Sequence, residues 1–218
     1  MNRVATAREP ARLGVLLSGR GSNFVALAEA LACGAAPAEI ALVASNVAEA
    51  PGIARARELA IPTAVLPHRD FASRGAHETA LAEVLRAAGV EWICLAGYMR
   101  LLGPELVAAW PQRILNIHPS LLPAFPGLHP QRQALAAGVR ISGCTVHLVD
   151  AGLDSGPIVV QRAVPVEDGD DEAALAARIL VAEHLAYPEA LRRVLTETWE
   201  VEGKRLCFKA SGRTSPSG

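Results

Sequence analysis

Five short apolar runs, each followed by a turn signal and a helical pattern, constrain this chain more than any other feature in it. Leu13 to Leu17, Ile40 to Ala44, Thr63 to Leu66, Trp92 to Ala96 and a fifth run beginning at Ile114 have the length and composition of buried strands. Between them helical spacing recurs, through Phe24, Leu27, Ala28 and Leu31, then Ile53, Ala56 and Leu59, then Ala80, Leu81, Val84, Leu85 and Ala88. Pro104 suits the first turn of a further helix that runs to about Trp110. Strand and helix in alternation predict an α/β fold, a single-domain, mostly parallel, Rossmann-like sheet with helices on both faces. At 218 residues the chain has room for one such domain with a well-filled core.

Beyond Pro123 the pattern changes. Pro130 can open a short helix over Gln131 to Ala137, and Val146 and Leu148 frame His147 in an alternating strand. Ile158 to Val166 returns as another strand, so an antiparallel addition is expected in the C-terminal half. A long helix from about Asp171 carries Leu175, Ile179, Ala182, Glu183 and Ala186, and Trp199 to Phe208 reads as a hairpin turning at Glu202-Gly203-Lys204. The domain is expected over residues 12–208, with 1–11 and 210–218 as disordered tails.

The fifth run ends in Asn116-Ile117-His118-Pro119-Ser120-Leu121-Leu122-Pro123. Residues two apart on a strand share a face, so Asn116 and His118 project together, and Pro119 and Pro123 stop the strand. Polar side chains at the end of a buried parallel strand lie where open α/β sheets bind ligands. The first run ends in Ser18-Gly19-Arg20-Gly21-Ser22-Asn23, a glycine loop that can aim backbone N–H groups at a phosphate. Phe24 stands where the third glycine of a dinucleotide fingerprint would be, which argues for one phosphate rather than a pyrophosphate. An ordinary turn with Ser22 or Asn23 as helix N-cap accounts for the loop equally well.

Composition narrows the partners. A net charge of −1 and 4% aromatic residues give no footprint for nucleic acid, and a small, weakly charged molecule fits better. No apolar run approaches the ~20 residues of a membrane span and no signal-peptide core is present, so a cytoplasmic protein is expected. Cys33, Cys94, Cys144 and Cys207 are widely separated and read as free thiols, Cys94 and Cys144 as core residues. Of the six histidines, His68, His77 and His129 look like loop or surface residues, while His147 and His184 read as structural. His118 has no partner at ligand spacing, and no metal is expected.

If Asp154, on its Gly-rich loop, folds against His118, the three polar groups suit acyl transfer without a covalent enzyme intermediate. Amide and imidazolium would stabilise an oxyanion, while histidine and carboxylate manage the proton. Asp154 could equally be a turn carboxylate. Ser120 lacks the G-x-S-x-G elbow of a serine hydrolase.

These segments, Gly21-Ser22-Asn23, Leu95 to Arg100, Asn116 to Pro123, Pro126-Gly127-Leu128-His129 and Leu153 to Pro157, resemble in content and order the phosphoribosylglycinamide formyltransferases of purine synthesis, over about Leu13 to Pro188. The N-x-H-x-S-L-L-P segment alone marks the wider folate-dependent formyltransferase superfamily. The resemblance implies transfer of a formyl group from the co-substrate 10-formyltetrahydrofolate to the amino group of phosphoribosylglycinamide. It further implies Asn116, His118 and Asp154 as the catalytic group, and Gly21, Ser22, Asn23 and Glu183 as the binding set for the phosphorylated substrate. Arg74, Met99, Arg100, Leu101, Leu102, Asn116, Asp150 and Asp154 would line the folate site. The chain departs from the family pattern at Arg20, where a neutral residue is common, at Ser155 in place of a frequent glycine, and at Asp150, an added carboxylate. Two rivals remain. A formyltetrahydrofolate hydrolase is expected to carry an extra N-terminal domain, for which there is no room before Leu13. A non-catalytic folate- or nucleotide-binding module would not need the three polar groups together.

Overall fold

In the computed structural model, which describes residues 9–209, the five apolar runs form β1 (Ala11–Leu17), β2 (Ala38–Ser45), β3 (Thr63–Val65), β4 (Trp92–Leu95) and β5 (Ile114–His118). Every pairing among them is parallel. The connecting helices are α1 (Ser22–Ala32), α2 (Pro51–Glu58), α3 (Arg74–Ala87) and α4 (Pro104–Ala109). Proline opens α2 and α4, where a missing N–H costs nothing, and the Ser73 hydroxyl caps α3 by accepting the Ala76 N–H at 3.1 Å. Ala11 already pairs with Ala38, so the sheet starts one residue before the expected domain boundary. The expected tails at residues 1–8 and 210–218 lie outside the described residues.

The C-terminal half adds α5 (Pro130–Ala136), β6 (Ile141–Leu148), β7 (Ile158–Pro165), α6 (Glu172–Thr196), β8 (Trp199–Glu202) and β9 (Arg205–Phe208). The pairs β5/β6, β6/β7 and β8/β9 are antiparallel, as the alternation predicted, and one parallel pairing of Ile158 with Arg205 joins the hairpin to the sheet. The order is β3-β2-β1-β4-β5-β6-β7-β9-β8. The chain therefore walks from β1 to one edge, then returns to β4 on the other side of β1. This reversal opens a crevice beyond the C-terminal ends of β1 and β4.

Alternation along β1 divides the core between the two faces of the sheet. Leu13, Val15 and Leu17 pack with Phe24, Leu27, Ile53 and the Leu175, Ile179 and Leu191 stripe of α6. Leu16 packs on the opposite side with Leu81, Leu85, Ile93, Leu106, Trp110 and Ile114. Tyr187 of α6 is fully buried, its hydroxyl 3.0 and 3.1 Å from the carbonyls of Leu95 and Leu115, which ties the long helix to the strand ends that carry the site. Cys94 and Cys144 are buried free thiols, both pushed up to about 12 by desolvation. His77 corrects the surface expectation. It is buried in α3, 1% exposed, with Nε2 3.1 Å from the Leu66 carbonyl in the segment after β3 and its ring edge-on to Phe71, so the loop between β3 and α3 covers it.

Candidate active site

The glycine loop and α1 form one wall of the crevice. Gly21 takes the left-handed conformation at φ 71° and is the N-cap of α1, with no side chain capping the helix. The reading of Ser22 or Asn23 as the cap is thereby corrected: both lie inside the first turn, and glycine is used because a Cβ at this φ would be strained and would also meet Gly52 Cα at 3.2 Å. The uncapped first-turn N–H groups are left to a ligand or to solvent. A cavity of about 230 Å³ opens there, lined by Ser18 to Asn23 and by Ala96, Gly97 and Met99 from the loop after β4. Phe24, at the third position of the incomplete fingerprint, is buried in the core.

Asn23 and Glu183 meet beneath this loop. Asn23 Nδ2 donates to Glu183 Oε2 at 2.7 Å, and both side chains are buried. Burial pushes the Glu183 carboxyl above its ordinary value, with the Asn23 bond opposing. Asn23 Oδ1 is buried without a hydrogen-bond partner. Arg20 lines the same cavity and is exposed.

The other wall is the β5/β6 pair. Asn116 lies directly opposite His147, and His118 opposite Thr145. Asn116 Nδ2 is 3.1 Å from His147 Nε2, and His147 Nδ1 is 2.9 Å from the Leu148 carbonyl. A carbonyl can only accept, so Nδ1 carries the proton and Nε2 takes the amide N–H; this fixes the orientation of Asn116. Desolvation lowers the pKa of His147, with the Leu148 bond and Asp154 opposing, which keeps this ring neutral. The strand alternation correctly marked His147 as a hydrogen-bonded core histidine, but its place beside Asn116 depends on a register that sequence does not display.

His118 is buried, and its Nε2–H donates to the Phe125 carbonyl at 2.9 Å. Nδ1 consequently faces Asp154, whose Oδ2 is 3.4 Å away. The expected approach of Asp154 to His118 is therefore present. Asp154 Oδ2 also accepts the Gly127 N–H at 2.9 Å, and Oδ1 lies 3.8 Å from His147 Nε2, so the carboxylate stands between two imidazoles. Ser120 is fully buried and its hydroxyl donates to the Ala124 carbonyl at 2.6 Å, an arrangement with no use for a nucleophile.

The remaining candidates rim the crevice. Met99 and Leu101 are exposed apolar side chains, 69% and 59%, while Arg100 and Leu102 are half-buried. Arg74 is half exposed at the start of α3, where its Nε donates to Glu78 Oε1 at 2.9 Å; the same oxygen accepts the Gly103 N–H, which ties Arg74 to the end of the Met99 to Leu102 segment. Asp150 is exposed and accepts the Ser155 hydroxyl at 2.8 Å and the Gly152 N–H at 3.0 Å. The two departures from the family pattern on this loop thus bind one another.

A switch point in a doubly wound sheet, with an uncapped helix terminus after β1 and an amide, two imidazoles and a carboxylate around β5 and β6, is the arrangement in which α/β proteins bind small molecules. The family follows from the sequence over nearly the same span: residues 11–191 match the Formyl transferase family, and the chain belongs to it. It is 53% identical over 182 residues to the trifunctional purine biosynthetic protein adenosine-3 of Drosophila pseudoobscura, 83% of this chain but 13% of that protein, so the chain spans only a small part of that relative. It is 41% identical over 184 residues to the phosphoribosylglycinamide formyltransferase of Bacillus subtilis, 84% of this chain and 94% of that one. The crystal structure of glycinamide ribonucleotide transformylase 1 from Symbiobacterium toebii superimposes with a TM-score of 0.92 at 47% identity, covering 95% of this chain and 98% of the other.

Proposed function

We propose that this chain transfers the formyl group of 10-formyltetrahydrofolate to the amino group of phosphoribosylglycinamide, yielding formylglycinamide ribonucleotide and tetrahydrofolate. One observation supports the reading: the glycine loop, suited to a single phosphate, and the Asn116, His118, Asp154 group follow β1 and β5, which flank β4 in parallel, so both stand at the same edge of the sheet. The loop after β4 lies between them, lines the phosphate cavity through Ala96, Gly97 and Met99, and is tied to Arg74 through Glu78.

The acceptor amine attacks the formyl carbon, forming the new C–N bond, and the bond from carbon to the donor nitrogen breaks as the proton lost by the amine is delivered to that nitrogen. Negative charge gathers on the formyl oxygen in between. Asn116 spends one amide hydrogen on His147 and has the other for this oxygen. In His118 the Phe125 carbonyl holds the Nε2 proton, so the proton exchanged is the one at Nδ1, between Asp154 and the reacting atoms. Asp154 stabilises the imidazolium and takes part in passing the proton. Gly21, Ser22 and Asn23 hold the phosphate through backbone N–H groups, with Glu183 below them for a hydroxyl or amino group of the acceptor. Arg74, the Met99 to Leu102 segment and the Asp150 to Asp154 loop receive the folate.

The test is release of tetrahydrofolate from 10-formyltetrahydrofolate by the purified chain, with and without phosphoribosylglycinamide. Release that depends on the acceptor is expected. Equal release without it would replace transfer by hydrolysis, and binding of folate with no release at all would overturn the catalytic reading.

A further inference from the structure

The loops after β3, β2, β1 and β4 are fastened in a row across the C-terminal edge of the sheet, and the row passes through one hydroxyl. Ser18 Oγ accepts the Met99 N–H at 2.9 Å and donates to Asn46 Oδ1 at 2.6 Å. Asn46, buried at the end of β2, places its amide nitrogen and its carbonyl 3.3 and 3.1 Å from His68 Nδ1, just beyond β3. The Ser18 N–H donates to the Gly97 carbonyl at 3.0 Å. The residue that opens the glycine loop is thus bonded twice to the loop after β4. One of those bonds ends on Met99, the first residue of the segment assigned to the folate.

Ser18 makes no hydrogen bond to Asn116, His118 or Asp154; its hydroxyl gives its one proton to Asn46 and accepts the Met99 N–H. Asn46 Oδ1 takes the hydroxyl proton and so turns an oxygen lone pair toward the Met99 N–H. Without the hydroxyl, the Met99 N–H and Asn46 Oδ1 each lose a partner, and the two loops have only the Ser18 to Gly97 backbone bond between them. With it, a ligand that orders one loop has already ordered part of the other, so the second ligand meets a smaller entropic cost.

We infer that Ser18 is a positioning residue whose hydroxyl couples the phosphate-binding loop to the donor-binding loop, so that acceptor and folate bind with positive cooperativity. The inference rests on the formyl-transfer reading of the site.

The experiment is titration calorimetry of phosphoribosylglycinamide into the full chain, alone and with saturating tetrahydrofolate, a pair that has no formyl group to transfer. In the unaltered chain the folate should tighten acceptor binding about tenfold, within the usual range for coupled sites. Ser18 also lines the phosphate cavity, so the readout in Ser18→Ala is the ratio of acceptor affinities with and without folate rather than either affinity, and that ratio should fall to within about twofold of one. Ser18→Thr keeps the hydroxyl and should restore it, which a loss of general stability would not explain. Asn46→Ala, which removes the group that orients the hydroxyl, should weaken the coupling in a protein whose Ser18 is intact, and serves if Ser18→Ala does not fold. Coupling absent from the unaltered chain, or undiminished in these variants, overturns the inference. Failure of the unaltered chain to bind either ligand would instead remove the formyl-transfer reading, which the turnover assay tests separately.

Discussion

The loop after β1 and the loops around β5 and β6 face the same crevice but are held in different ways. The first is local: its residues are contiguous, and the left-handed turn that starts α1 falls on glycine, Gly21. Around β5 and β6 one left-handed position, Gly127 at φ 77°, again falls on glycine, but three others fall on Phe125, His129 and Asp154, at φ 55°, 56° and 49°. Such positions cost non-glycine residues roughly 1–2 kcal/mol each and persist only where the surroundings over-determine them. Here the surroundings do so. The Phe125 carbonyl accepts from His118 Nε2 and the Ser120 hydroxyl, the His129 carbonyl accepts the Gln133 N–H while Gln133 Nε2 donates to the Leu128 carbonyl, and the Asp154 carboxylate accepts the Gly127 N–H. A wall that only has to present N–H groups can be made from a short stretch with favourable conformations, whereas a carboxylate brought between two histidines from a distant loop requires strain and the bonds that hold it.

The sharpest way to break this contrast is Asp154→Asn. On the reading above it should lower kcat about 10³-fold with acceptor KM changed less than about threefold, measured by steady-state tetrahydrofolate release. An unchanged kcat would take the strained wall out of the chemistry. Gly21→Ala tests the other wall. Its positive φ and the close approach of Leu17 and Gly52 should cost about 1–2 kcal/mol in denaturant unfolding and raise acceptor KM about tenfold, with kcat altered less. Arg20→Ala should raise acceptor KM only several-fold, since an exposed cation adds attraction to a phosphate that backbone N–H groups already hold.

The smallest effect is on stability against pH. His77, His147 and His184 have pKa values lowered chiefly by desolvation. Below the ordinary histidine value of about 6.5 the unfolded chain takes up protons that the folded chain refuses, so their contribution is complete above that pH and declines as pH falls. Glu183 is shifted up by burial and has the opposite sign: its contribution is complete below the ordinary carboxyl value and is lost as pH rises through its raised one. With three histidines against one carboxyl, Tm should fall from pH 7.5 to pH 5.5, and His77→Gln should make that slope shallower. A slope that His77→Gln leaves unchanged would assign the dependence to His147 and His184.

Much of the architecture was legible because its signals are short-range. Runs such as Leu13 to Leu17 and Trp92 to Ala96 became strands, and Pro104, Pro130 and the stretch from about Asp171 begin helices as their sequence predicts. The failures share a cause. The sequence shows His77 as a surface residue because its burial comes from Leu66 and Phe71 in the loop that folds over it, and it offers Ser22 and Asn23 as the α1 cap because they have the right chemistry while Gly21 has the right backbone. The role of Ser18 left no local sign at all, since its partners Asn46 and Met99 come from other loops.

By itself, the sequence determined that this is an alternating α/β chain, and that Asn116 and His118 project from one face at the end of its fifth strand. Strand periodicity is a property of two neighbouring residues and needs no partner. Only the tertiary structure decided that His147 sits against Asn116, that Asp154 reaches His118, and that Asn23 binds Glu183 160 residues away. Those contacts follow from strand register and helix packing, which are selected by burying the whole apolar face of the sheet and pairing the polar groups enclosed with it.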